Sequence, residues 1–274
     1  MELSDILLII GSVLLFLVAV YLLLIAPGKG RNVKRFKGTK FAHRGLHNNE
    51  RAENSMSAFR AAVDAGFGIE LDVRLSKDGE LVVFHDDTLE RVVGKEGKVI
   101  DFTADELSKM SLSGTSDGVP RFSEVLSLVD GRVPLLVEIK EDMGVSAVST
   151  KCAEMLSEYG GAFLVESFNP LSLRNSKKIL QNIPHGILSH RYYAFDKYRK
   201  PLYFLLQILL FNCLCRPAFV AYDHRHCKCT SLRVLRNCFG VTTFAWTIRS
   251  EDEEREAYKH GFDGVIFENY VPKK

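Results

Sequence analysis

Three stretches of this 274-residue chain place charged side chains inside otherwise apolar runs. His43-Arg44-Gly45 follows Phe41-Ala42. Glu70 and Asp72 alternate with Ile69, Leu71 and Val73, and His85-Asp86 comes shortly after. Glu138 and Lys140 alternate with Val137 and Ile139. Alone, each has a plain explanation: a Glu-x-Asp on a solvated strand face, a His-Asp loop bond, a Glu-Lys surface pair. Together they are harder to dismiss, because burying unpaired charge is expensive. Three carboxylates, Glu70, Asp72 and Glu138, completed by water, suit a hard divalent ion, Mg²⁺ or Ca²⁺, better than zinc. Arg44 offers a bidentate fork to a phosphate, and Lys140 adds a point charge. His43 and His85 can divide proton transfer as base and acid, since imidazole titrates near pH 6.5. The chemistry that fits is metal-assisted cleavage of a phosphodiester.

The elements that must position these residues are strands. Gly68–Asp86 reads as strand, tight turn and returning strand, with Asp78-Gly79 as a two-residue hairpin turn. That turn predicts Lys77 opposite Glu80, Leu75 opposite Val82 and Asp72 opposite His85. Alternation puts Glu70 and Asp72 on one face and Ile69, Leu71 and Val73 on the other, in a core. Further strands are predicted at Phe41–His43, Leu135–Lys140, Phe163–Phe168, His185–Ser189, Phe219–Tyr222, Thr243–Thr247 and Gly264–Phe267. Helical patterns lie between them at Asn54–Ala65, Phe122–Val129, Val145–Glu158, Leu171–Leu180, Leu232–Asn237 and Ser250–His260. Eight such units predict a (β/α)₈ TIM barrel, with an open doubly wound sheet as the competing fold. No Gly-rich phosphate loop follows the first strand, which counts against a dinucleotide fold. The long gap Asp87–Pro120, with a short helix near Thr103–Met110, would shape the mouth of a barrel site.

Ile6–Ala26 carries no charge and is long enough to span a bilayer as an uncleaved transmembrane anchor. A signal peptide would have a basic start and a shorter apolar core. Lys29, Arg31, Lys34, Arg35, Lys37 and Lys40 follow it with no acid between them. The net charge of +2 hides this cluster; without it the remainder is slightly acidic, so no nucleic-acid surface is implied. Positive flanks stay in the cytoplasm, which predicts a single-pass protein with a cytoplasmic catalytic domain and a basic linker near anionic lipid. The expected organisation is an anchor at 1–28, a linker at 29–39 and a barrel at 40–274, with a short insertion at about 87–120. The six cysteines read as free thiols of a reducing compartment. Their C-x-C spacings near His224 and His226 do not match structural zinc. The apolar segment 201–219, flanked by Lys197, Arg199, Lys200 and Arg216, reads either as a buried barrel helix or as a face that meets the membrane or a partner.

With Glu53-Asn54-Ser55, these motifs resemble the glycerophosphodiester phosphodiesterase family. Thr88-Leu89-x-Arg91, Pro120-x-Phe122, Ser167-Phe168, Ala245-Trp246-Thr247 and Gly261-Phe262-Asp263-Gly264 extend the likeness from Phe41 to about Phe267. The resemblance implies a barrel that hydrolyses glycerophosphodiesters to glycerol 3-phosphate and an alcohol. It implies metal binding by Glu70, Asp72 and Glu138 and acid–base work by His43 and His85. It implies phosphate binding by Arg44 and Lys140 and a glycerol-side contact at Trp246. Glu53 and Asn54 would brace the site, with Asn54 or Ser55 capping the first barrel helix. A lysophospholipid is the alternative substrate, with membrane lipids as partners; a non-enzymatic membrane scaffold on the same barrel is disfavoured because no expected site position is missing. Three positions depart from the family pattern: Ala52 stands for proline, Ser55 for threonine, and Phe267-Glu268-Asn269 where Thr-Asp is usual.

Overall fold

The computed structural model describes residues 2–28, 32–141, 147–194 and 200–273. The chain alternates strands and helices from Lys40 onward. Strands β1 (Lys40–Ala42) and β2 (Gly68–Leu75) are followed by β3 (Leu81–Val83), which returns antiparallel along the end of β2. Strands β4 (Leu135–Ile139), β5 (Phe163–Ser167), β6 (His185–Ser189), β7 (Phe219–Asp223), β8 (Thr242–Ile248) and β9 (Gly264–Phe267) continue the series. All but β3 run parallel. β1 pairs with both β2 and β9, so the eight parallel strands close into a barrel and the open sheet is excluded.

Helices form at each place where the apolar spacing puts one, with two further single-turn helices, Glu90–Val93 and Asn212–Cys215, that it does not indicate. The helices are α1 (Leu3–Ile25), α2 (Met56–Asp64), α3 (Glu90–Val93), α4 (Ala104–Ser108), α5 (Phe122–Val129), α6 (Ala147–Ser157) and α7 (Pro170–Ser176). The series ends with α8 (Pro201–Gln207), α9 (Asn212–Cys215), α10 (Thr230–Phe239) and α11 (Glu251–Lys259). The expected start of α6 at Val145 lies outside the described residues, as do Lys29, Arg31, Lys197 and Arg199. Ser55 caps α2 by accepting the Ala58 N–H at 3.2 Å, which settles the choice between Asn54 and Ser55.

Alternation along each strand divides the apolar residues between two cores. Ile69, Leu71 and Val73 pack outward with Leu135, Val137 and Val165 against the helices. Phe41, Leu136, Leu164, Phe219, Phe244 and Ile266 fill the barrel interior, and Val33 and Phe36 plug its base from below. The interior rings leave no room for a neighbouring side chain. A Cβ on Gly186 would collide with the Phe219 ring, and one on Gly264 would meet Phe244 at 2.7 Å. The insertion 87–120 has a small core of its own, built from Leu89, Val92, Val99, Leu107 and Leu112 beneath Val82 and Phe84.

The hairpin register differs from the sequence expectation by one residue. Leu75 pairs with Leu81 and Val73 with Val83, and the Phe84 N–H donates to the Asp72 carbonyl at 3.0 Å. The loop has three residues, Lys77, Asp78 and Gly79, closed by the Ser76 N–H to Glu80 O at 2.9 Å. Only Gly79 has positive φ; the Asp78 side chain instead accepts from Ser76 Oγ and the Ala104 N–H. Asp72 therefore does not sit opposite His85, which lies past the end of β3.

Candidate active site

The acidic groups form a layer above the apolar one. Register sets Glu70 beside Leu136, Asp72 beside Glu138, and Glu138 beside Glu166 on β5. Carboxylate oxygens of Glu70, Asp72 and Glu138 lie within 4.8 Å of one another, and all three residues are buried. Burial and the mutual repulsion of the cluster push Glu70 well above the ordinary carboxylate range. Burial also raises Glu138, to about 7, against the pull of Lys140. For Asp72 burial acts upward too, but Lys140, Arg44 and His85 outweigh it and hold the group well below its usual value. Lys140 Nζ lies 2.7 Å from Glu138 Oε1 and 3.1 Å from Asp72 Oδ1.

Arg44 occupies a left-handed turn (φ 55°) directly after β1, followed by Gly45 at φ 81°. This turn aims the Arg44 N–H at Glu70 Oε2, 2.9 Å away. Its guanidinium donates to Glu53 Oε1 at 2.7 Å and passes 3.4 Å from Asp72 Oδ2. Glu53 is held from the other side by Arg91, at 2.6 and 2.8 Å. Asn54, also at positive φ, donates Nδ2–H to Asp72 Oδ2 at 2.9 Å.

His85 reaches the same cavity from the loop after β3. Its Nδ1 is 2.6 Å from Asp86 Oδ1, and Asp86 accepts from Arg91 at 2.5 Å. An ionised carboxylate only accepts, so Nδ1 carries the proton and Nε2 presents a lone pair. Burial lowers His85 to about 4 and keeps it neutral at pH 7. His43 is arranged in the same way: Nδ1 is 2.5 Å from Glu268 Oε2, and Nε2 is 3.9 Å from Glu70 Oε2. Burial lowers its pKa, with the Glu268 hydrogen bond opposing.

His43, Arg44, Glu70, His85, Glu138 and Lys140 line a cavity of about 330 Å³ that Phe168 and Trp246 also line, with Asp72 behind Lys140 and Arg44. The Phe168 and Trp246 rings meet edge to face at 5.7 Å. All ten residues singled out from the sequence gather at or directly behind this cavity. Sequence reasoning missed two others. Glu166 is buried on β5 with Oε2 unpaired, and burial beside Glu70 and Glu138 raises its pKa well above the ordinary range. The repeat of Leu136-x-Glu138 as Leu164-x-Glu166 was the available signal. Glu268, in the segment that departs from the family pattern, supplies the carboxylate behind His43 and is itself held by Arg249 Nη2 at 2.7 Å.

The donor set fits a hard divalent ion. Repulsion within the cluster and burial push Glu70 and Glu138 toward protonation, and the buried Asp72 Oδ1 and Arg44 Nε make no hydrogen bond, their ionic contacts notwithstanding. Among the described residues, the cysteines near His224 and His226 join no such cluster and all six are free.

The sequence matches the model of the Glycerophosphoryl diester phosphodiesterase family over residues 43–271. The chain belongs to this family. It is 34% identical to a glycerophosphodiester phosphodiesterase of Caldanaerobacter subterraneus, over 82% of this chain and 91% of that protein. A Homo sapiens lysophospholipase D is 31% identical over 53% of this chain and 49% of its own length. The fold is similar to a glycerophosphodiester phosphodiesterase from Thermotoga maritima, with a TM-score of 0.65 at 26% identity, covering 84% of this chain and 94% of that one. It is also similar to an Oleispira antarctica phosphodiesterase in complex with sn-glycerol-3-phosphate. There the TM-score is 0.70 at 22% identity, covering 86% and 94% of the two chains.

Proposed function

We propose that this chain is a membrane-anchored, metal-dependent enzyme that hydrolyses glycerophosphodiesters to glycerol 3-phosphate and an alcohol. One observation carries the reading: three buried carboxylates, two imidazoles with unshared Nε2 lone pairs, and two cations converge on a single cavity. Glu70, Asp72 and Glu138 would hold Mg²⁺ or Ca²⁺, which when bound supplies polarisation of a phosphoryl oxygen and a lowered water pKa. Arg44 and Lys140 offset the phosphate charge, and the Glu53–Arg91 pair fixes the angle of the Arg44 fork. One imidazole removes the proton from the attacking oxygen as the new P–O bond forms. The other, having first taken a proton at Nε2 from solvent, gives it to the departing alcohol as the old bond breaks, and the first imidazole returns its proton to solvent. Phe168 and Trp246 give the cavity an apolar wall for the carbon side of the glycerol. Membrane attachment through α1 is supported by a stretch that is apolar, long enough to span and unburied by the barrel.

The full chain in detergent, given Ca²⁺ or Mg²⁺, is expected to release glycerol 3-phosphate from glycerophosphocholine. Glu70→Ala and His85→Ala should abolish release while preserving the melting transition. Unchanged turnover in both variants would remove the site assignment.

A second reading, headgroup release from a lysophospholipid, draws support from an aromatic run leading out of the cavity. Trp246 is 6.1 Å from His190, His190 is 4.0 Å from Tyr192, and Tyr192 is 5.6 Å from Tyr203 on α8, centroid to centroid.

A further inference from the structure

The barrel marks height along its own axis. Each strand runs toward the catalytic face and each outer helix runs back, so the first turns of helices lie level with the site and residues just before strands lie at the base. The end of α1 is fastened at the base. The Gly28 N–H donates to Pro217 O at 3.0 Å, just before β7. Arg216 Nη1 donates to Leu23 O at 2.7 Å and Ala26 O at 3.1 Å, and Asn212 Nδ2 to Ile25 O at 3.1 Å. The approach is close enough that a Cβ on Gly28 would run into the Arg216 carbonyl. Further up, the Tyr21 hydroxyl is 2.6 Å from Ser231 Oγ in the first turn of α10. Followed toward its N-terminus, α1 thus climbs the flank from base to catalytic face and leaves the barrel there.

Beyond that point Leu3–Ala19 is exposed throughout. At ~1.5 Å per residue this stretch is about 26 Å long, close to the ~30 Å hydrocarbon core of a bilayer. Two features surround the exit. Arg191 and Lys228, from loops after β6 and β7, line a cavity of about 740 Å³ together with Tyr21, Glu256 and Arg225, whose guanidinium is already held by Asp223 at 2.7 and 2.9 Å. Cations at that position suit anionic headgroups. Helix α8 belongs to the same face, since Ser189 Oγ at the end of β6 donates to Leu206 O at 3.3 Å. It leaves Leu202 and Phe204 exposed at 42% and 46%. Scattered exposed apolar residues need no explanation; these adjoin the exit of a spanning helix and the outer end of the aromatic run from Trp246.

We infer that the docking of α1 seats the catalytic face against the leaflet that α1 enters, with Leu202 and Phe204 in contact with the acyl layer; the linker residues Lys34 and Arg35, beside the basal plug, then lie at the end away from that leaflet and not, as their charge suggested, on its headgroups. Glycerophosphodiesters carrying an acyl chain then reach the cavity from the bilayer along the aromatic run. This rests on the anchored phosphodiesterase reading above and adds an orientation to it.

The test uses the full chain in nanodiscs of phosphatidylcholine with brominated acyl chains and a minority of phosphatidylserine. Trp246 is the single tryptophan, so Trp246→Phe provides a silent background. Into it are placed Phe204→Trp on α8 or Phe239→Trp at the basal end of α10, a position that is 39% exposed. Bromine should quench the first several-fold more than the second. Equal quenching, or stronger quenching at 239, overturns the orientation. In the native Trp246 background, Leu202→Ser with Phe204→Ser should lose several-fold in turnover of a vesicle-borne lysophospholipid and keep turnover of glycerophosphocholine. Losses of the same size on both substrates, or on neither, overturn the inference. If the unmodified chain fails to act on glycerophosphocholine, the phosphodiesterase reading falls, while the quenching contrast still reports the orientation.

Discussion

Glu268→Gln is the substitution that the geometry makes most informative. Glu268 accepts from His43 at Oε2 and from Arg249 at Oε1, 2.5 and 2.7 Å away. Arg249 only donates, so a glutamine must turn its carbonyl oxygen toward Arg249 and its NH₂ toward His43 Nδ1. Two donors would then face each other unless His43 moves its proton to Nε2. If His43 acts as base, its lone pair is lost from the cavity; if it acts as acid, the anion that steadies the imidazolium is lost. Removing the charge-assisted hydrogen bond alone costs about 1.5–3 kcal/mol, or about 10- to 150-fold. An inverted tautomer behind a catalytic imidazole costs up to about 10⁴ in a serine-hydrolase triad. The expected loss in kcat for Glu268→Gln is therefore about 10²–10⁴-fold with little change in KM. Glu268→Ala should be milder, because either tautomer is then open to His43. Steady-state kinetics on glycerophosphocholine at saturating metal decide the matter. A glutamine variant as active as the unaltered chain, or an alanine variant worse than the glutamine one, would refute the tautomer argument.

Chelation should abolish turnover. Because a metal that binds only the native state stabilises it, added Ca²⁺ or Mg²⁺ should raise the melting temperature of the unaltered chain and not that of Glu138→Gln, as seen by scanning fluorimetry. Glu166→Gln should retain most activity, since Glu166 stands outside the cluster of Glu70, Asp72 and Glu138 and its burial beside them favours the neutral form, whereas Glu70→Gln, which removes a member of that cluster, should be inactive; parallel assays separate the two. His185 is buried, donates Nδ1–H to Ile183 O at 2.8 Å, and burial lowers its pKa to about 4. The unfolded chain therefore binds the extra proton between about pH 6.5 and 4, and stability falls by about 3 kcal/mol as pH drops through that window. His185→Asn should flatten the acid limb of a melting-temperature profile, and an unchanged limb would discount the imidazole. Gly186→Ala should destabilise by about 1–3 kcal/mol through overpacking against Phe219, measured by denaturant melts.

The sequence by itself determined the ingredients and most of the frame. Strand alternation puts Glu70 and Asp72 on one face whatever surrounds them, because side chains repeat every second residue. Alternating β and α units announce the barrel, and the uncharged run Ile6–Ala26 announces a long apolar helix, found at Leu3–Ile25. Tertiary structure decided what depends on neighbours distant in the chain. The dipeptide Asp78-Gly79 serves a two- or a three-residue loop equally well. The longer loop was selected by the Ser76 and Ala104 contacts of Asp78, and it moved Asp72 out of register with His85. Glu166 became part of the site only when β5 was laid beside β4. Glu268 found His43 across 225 residues when β9 closed on β1. Hydropathy gave the length of α1, whereas its direction relative to the cavity was set by Gly28, Asn212, Arg216 and Ser231, four hydrogen-bonding positions far apart in sequence that meet only when the barrel is folded.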